Sequence, residues 1–201
     1  MKRLVAAILF IFLTSALPAC GPSMKKPDIK LNPHPKMRYE ITLTIEGAPG
    51  PFDAVEGTAG YEVTNGSCVP LTPFSGATLT PEKDVPMALI RVSDKVYRGE
   101  LYVDLLTDED YFGLGLCRWS MPLANFSLRV GNLVFGHPLA LNDILEKKPV
   151  TRYFSMLSYR ESTPSKDGER PWVISGNAQR SDFKEPKSTF SMTLIAKEKF
   201  E

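Results

Sequence analysis

Histidine, tryptophan and cysteine are scarce, at two, two and three residues in a chain of 201. So few imidazoles leave little scope for histidine acid–base chemistry: His34 sits between Pro33 and Pro35 in a polar stretch that offers no fixed site, so only His137 remains. It lies in Phe135-Gly136-His137-Pro138 with no identifiable partner and reads as a strand-end residue without a catalytic role. No Gly-x-Ser-x-Gly, Gly-x-x-x-x-Gly-Lys or His-Glu-x-x-His motif occurs, which removes the nucleophile elbow, the phosphate loop and the helical zinc site. Neither charge sign dominates, with 24 basic against 23 acidic residues, whereas a general nucleic-acid binder carries a basic excess or stripe. No apolar run approaches the roughly 20 residues of a membrane-spanning helix.

What is present begins with a leader. Lys2 and Arg3 precede an unbroken apolar run from Leu4 to Leu13, and a short stretch follows to Leu17-Pro18-Ala19-Cys20. A basic start, an apolar centre of about ten residues and a small-residue end make the layout of a secretory signal peptide. Leu17-Pro18-Ala19-Cys20 resembles the lipobox of bacterial lipoproteins, in which the cysteine is acylated and becomes the new N-terminus. The resemblance covers residues 1–20 only. It implies a signal peptide over 1–19, a lipid anchor at Cys20 and, with Gly21 rather than aspartate next, the outer membrane, on its periplasmic face. Several acyl chains, each methylene contributing about 0.8 kcal/mol, make such an anchor stable.

Cleavage there leaves roughly 180 residues, the size of one domain. The remaining cysteines, Cys68 and Cys117, are an even pair in an exported chain and read as a disulfide. Closing that loop is worth about 4 kcal/mol in the chain-entropy model. Residues 20–37 carry Pro22, Pro27, Pro33 and Pro35 among lysines and read as a tether, long enough when extended to hold the domain roughly 50 Å from the bilayer.

From residue 38 to 201 the pattern is that of a single β-rich domain. Tyr39, Ile41, Leu43 and Ile45 alternate with Glu40, Thr42, Thr44 and Glu46, the period of a half-buried strand. Further strands are expected at 54–64, 88–93, 96–106, 116–122, 126–135, 151–160, 172–175 and 189–197. The short turn at Ser93-Asp94-Lys95 makes 88–93 and 96–106 a hairpin. One short helix is expected over 141–148, with Asn142 as its cap. Many short strands and so little helix predict an all-β, antiparallel β-sandwich, with a barrel-like closure as the alternative. An immunoglobulin domain is not indicated, since Trp119 follows the second cysteine and Gly115 stands where that fold has its tyrosine.

Two surfaces are candidate binding sites. Tyr111 and Phe112 follow the acidic run Asp108-Glu109-Asp110, and Trp172 follows the polar stretch 160–171. Exposed aromatics on a rigid base make binding anchors; the alternative for Tyr111 and Phe112 is that both fold back into the core. Asp104 and the run Asp108–Asp110 offer hard oxygen ligands, but without the spacing of a calcium loop they read as a solvated connection. No metal, cofactor or nucleic acid is therefore expected. The expected function is a non-catalytic, membrane-tethered envelope protein that binds another protein, one version being an immunity lipoprotein against a periplasm-acting toxin. Alternatives are a structural or assembly lipoprotein of the outer membrane and, in another class, an envelope hydrolase. Intact mass of membrane-extracted protein should show acyl mass at Cys20 and a gain of two protons on reduction; an unmodified Cys20 thiol would overturn the anchor.

Overall fold

A computed structural model describes residues 27–73 and 75–200; the leader, the lipobox and Cys20 lie outside the described residues. Ten strands form two five-stranded sheets packed face to face, without closing into a barrel. One sheet has the order β4-β5-β1-β10-β8, and the other β3-β2-β6-β7-β9. The strands are β1 (Arg38–Glu46), β2 (Ala54–Val63), β3 (Glu82–Met87), β4 (Ile90–Ser93), β5 (Val96–Tyr102), β6 (Trp119–Val130), β7 (Leu133–Ala140), β8 (Val150–Ser155), β9 (Trp172–Ser175) and β10 (Thr189–Glu198).

Alternation dictates the packing. In β1 the apolar set Tyr39, Ile41, Leu43 and Ile45 is buried while its neighbours are not, as a pleated strand with one face on a core requires. β1 pairs antiparallel with β10, which places Ile41 opposite Ala196 and Leu43 opposite Leu194. Across the sandwich they meet a core that includes Ala59, Phe126, Leu128 and Phe135 from the second sheet. Phe135, Phe154 and Phe190 lie with ring centroids 5.2 to 5.5 Å apart, the spacing of favourable aromatic pairs.

The lateral margins are joined by the chain itself. On one side β3 of one sheet runs through Ala88-Leu89 into β4 of the other. A Cβ on Gly99 would come within 2.6 Å of Leu89 and 2.8 Å of Met87, so a larger residue there would push these side chains aside where the chain crosses. On the other side β9 passes through Gly176 to Asn177, which exchanges two backbone hydrogen bonds with Tyr153 of β8. There a Cβ on Gly176 would meet Arg152 and Phe154 at 2.7 Å.

Several elements differ from the sequence expectation. Residues 88–89 are the crossing rather than strand, and β3 was not anticipated because Glu82, Lys83, Asp84 and Pro86 suit only an exposed edge. The expected break after Pro122 is absent: Met121 and Pro122 together oppose Tyr61 in a bulge, which accommodates a residue lacking an N–H. The expected strand 126–135 is a hairpin, turning at Gly131-Asn132 between β6 and β7. The expected strand 151–160 ends at Ser155, whose hydroxyl accepts from the Leu157 and Ser158 amides and starts a second short helix, α2 (Met156–Arg160). The first, α1 (Leu141–Leu145), starts after Ala140 and not with Asn142 as its cap.

The stretch expected to be tether through residue 37 is partly strapped to the domain. Asn32 N donates to Leu105 O at 2.8 Å and Thr107 N to Lys30 O at 3.0 Å. Both carboxylate oxygens of Asp104 accept backbone donors, from Lys36 at 2.8 Å and Met37 at 2.9 Å. This strap also explains why β5 stops at Tyr102: residues 103–107 leave the sheet to pair with it.

The disulfide joins Cys68 to Cys117, with sulfurs 2.04 Å apart. Both cysteines are buried in a small satellite core with Val63 and Val69. Replacing both by serine should lower stability by about 2–4 kcal/mol, read as an earlier urea midpoint; an unchanged midpoint would mean that the loops it joins do not unfold with the sandwich.

Candidate functional site

Because the long strands run from one end of the sandwich to the other, the connections collect at two ends. At the first lie the strap, the disulfide, and the loops 64–81, 103–118 and 141–149. At the second lie the loops 47–53, 94–95, 131–132 and 156–171. A nine-residue strand such as β1 separates them by about 30 Å.

The first end takes Tyr111 and Phe112, and neither is an exposed anchor. Both are half-buried against the disulfide cluster and Trp119. The Tyr111 hydroxyl donates to Thr107 O at 2.6 Å, and its ring meets Trp119 edge-on at 6.3 Å. The acidic run is spent on shaping this loop. Asp108 Oδ1 accepts from Trp119 N at 2.8 Å, Asp110 Oδ1 from Leu114 N at 3.0 Å, and Glu109 Oε1 pairs with Lys30 at 2.6 Å. That carboxylate holds the Lys30 ammonium above its ordinary pKa. Among the described residues no group of three or more His, Cys, Asp or Glu side chains could hold a metal ion.

Trp172 stands at the second end and is 69% exposed, with Val173 beside it at 68% and Leu157 of α2 at 59%. Their positions are fixed by residues that sequence reading missed. Asn132, in the β6–β7 turn, donates its N–H to Thr163 O at 2.8 Å, accepts from Thr163 N at Oδ1 (3.0 Å) and accepts from Trp172 N at its own carbonyl (2.8 Å). One asparagine thus clamps both feet of the loop between α2 and β9. Gly131 before it has φ of 52°, donates to Asp53 Oδ2 at 2.7 Å, and would bring a Cβ within 2.2 Å of Thr163 O. The Gly-Asn pair between β-rich residues was the available signal for this turn. α2 is held in turn by Tyr159, whose hydroxyl donates to Pro51 O and whose ring stands edge-on to Phe52 at 5.4 Å.

Beside this anchored loop, a groove of about 380 Å³ runs between residues 47–52 and the β4–β5 turn, lined by Phe52, Tyr97, Arg91, Asp94 and Lys95 among others. Arg91 and Asp94 are already paired at 2.7 Å. Its lining combines these charges with the aromatic rings of Phe52 and Tyr97.

His137 reaches neither end. It is 1% exposed on the inner face of β7, with Nδ1 2.8 Å from Pro138 O and Nε2 3.0 Å from Val150 O of the opposite sheet. Both ring nitrogens thus face backbone carbonyls inside the core.

The chain matches no family model, no curated protein and no solved structure.

His137 does carry a pH consequence. Burial lowers its pKa below the ordinary value, outweighing the carbonyls of Val150 and Pro138 that favour the charged ring, while Arg152 lowers it further and Asp143 raises it. The unfolded chain binds the proton first, so stability is full above about pH 6.5 and falls as pH drops below it, at up to about 1.4 kcal/mol per pH unit for one proton. His137→Gln should flatten this slope in urea titrations between about pH 5 and 7; an equal slope in the variant would assign it to other groups.

Proposed function

We propose that the chain is a lipid-anchored protein of the bacterial envelope whose β-domain binds another protein through the end turned away from the anchor. The observation that carries this reading is the opposition of the two ends. The strap leads the chain toward Cys20 from one end, and the clamped loop presents Trp172, Val173 and Leu157 at the other.

A large aromatic held out on a rigid base is the residue type that dominates binding energy at interfaces. Here the base is rigid on two counts: Asn132 fixes the loop feet, and the Phe52–Tyr159 pair fixes α2. β9 is also the edge strand of its sheet, beside β7, the position at which an extended segment of a partner can add a strand. With the anchor at Cys20 that the lipobox implies, this surface faces the periplasm, away from the outer membrane. Blocking a toxin that acts in the periplasm is one role such a surface fits; holding together an outer-membrane assembly is the alternative, and the identity of the captured protein separates them.

The test is cross-linking of the intact lipoprotein in native envelopes, followed by capture. Trp172→Ser combined with Val173→Thr should reduce recovery of the partner at least about tenfold, equivalent to about 1.4 kcal/mol, with an unchanged unfolding midpoint. Undiminished recovery would remove this end as the binding surface.

A further inference from the structure

We infer that the disulfide-bearing end of the domain rests on the lipid bilayer and touches it through a set of exposed leucines; this rests on the anchor at Cys20 proposed above. The leucines are Leu31, Leu71, Leu79, Leu114 and Leu116, each at least half exposed. They come from three stretches that the fold collects at this one end of the sandwich. Leu31 forms a bridge with Leu106 in the strap. Leu71 bridges Thr78, next to Leu79, and Thr78 lies against Gly66 in the turn that carries Cys68. Leu116 adjoins Cys117 at the other side of the disulfide, and Asn65 Nδ2 holds its carbonyl at 2.7 Å.

Five leucines at least half exposed at one end of the sandwich make that end rich in apolar surface, and apolar surface collected on one side of a domain is what membrane contact uses. The occupant follows from the length of chain before the strap. From Cys20 to Lys30, where the backbone is already paired to Thr107, a fully extended chain reaches at most about 35 Å. The expected 50 Å of clearance is thus not attainable, and the strap brings the leucine-bearing end toward the membrane first. The second end, with Trp172, then points outward by the full length of the sandwich.

The contact is apolar rather than electrostatic. Asp108 and Asp110 stand on the same end, and Lys30, beside Leu31, is already paired with Glu109, so anionic headgroups gain little here. Leucines can settle into the boundary between headgroups and acyl chains without help from charge. Zwitterionic lipid suffices, and added salt should not release the contact.

The experiment places an added tryptophan at single positions of the full-length lipoprotein, bound to phosphatidylcholine vesicles with brominated acyl chains. Leu31→Trp and Leu114→Trp should each add fluorescence that brominated lipid quenches about two-fold or more, unchanged at high salt, whereas that of Leu157→Trp at the opposite end should not be quenched. Disulfide formation and an unchanged unfolding midpoint check each variant. If vesicle-bound Leu31→Trp and Leu114→Trp proteins are not quenched, the bilayer contact is overturned while the anchor stands. If the protein carries no acyl mass and does not float with vesicles, the anchor itself fails and this contact with it.

Discussion

The structure depends on bringing two apolar sheet faces together over their whole width, at the roughly 10 Å separation that interleaved side chains allow. In the middle this is met by large residues: Ile41, Leu43 and Leu194 on one face, and Phe126, Leu128 and Phe135 on the other. At the margins the chain itself crosses from sheet to sheet, and the side chains beside the crossings, Met87 and Leu89 on one side and Arg152 and Phe154 on the other, leave little space over Gly99 and Gly176. Gly99 and Gly176 are where the crossings come closest. Once both margins are joined in this way, every remaining connection must lie at one end or the other, and the division of labour proposed between the ends follows from that packing.

The core strands were legible because burial and sequence period agree in them. β1 shows strict alternation, and it pairs in register with β10, whose Phe190, Met192, Leu194 and Ala196 recur at every second position on the core, so the local pattern carries through to the tertiary structure. The errors come where one residue type has two structural uses. Pro122 normally ends a strand, yet a bulge lets β6 pass through it. The charged β3 reads as loop until the edge of a sheet is known to be its place. Lysines and prolines in residues 30–37 suggest a solvated tether, and what captures them is a distant carboxylate, Asp104, whose role no local window contains.

The candidate site was half legible for the same reason. Tyr111 and Phe112 lie within six residues of Cys117, and the disulfide that the sequence implies is what draws them inward as its apolar cover. Trp172 is different: the stretch before it, 160–171, is polar and turn-rich, its strand is four residues long, and the clamp at Asn132 is what makes it an outward-held side chain. His137 could be named from the sequence but not placed, since its burial depends on β8 from the other sheet.

The strap has a mechanical meaning as well. Its backbone bonds to residues 105–107 lie across its length, and the chain leaves at the Lys30 end, beyond the end of the sheet. Tension drawn from that side, against a domain held at its far end, runs along the strap and loads those bonds side by side. They share the force in shear, together with the Asp104 carboxylate, and do not peel away one after another. The domain is thereby shielded from its own leash: a pull transmitted through residues 27–30 meets this short brace before it reaches β1, the strand at the centre of the first sheet.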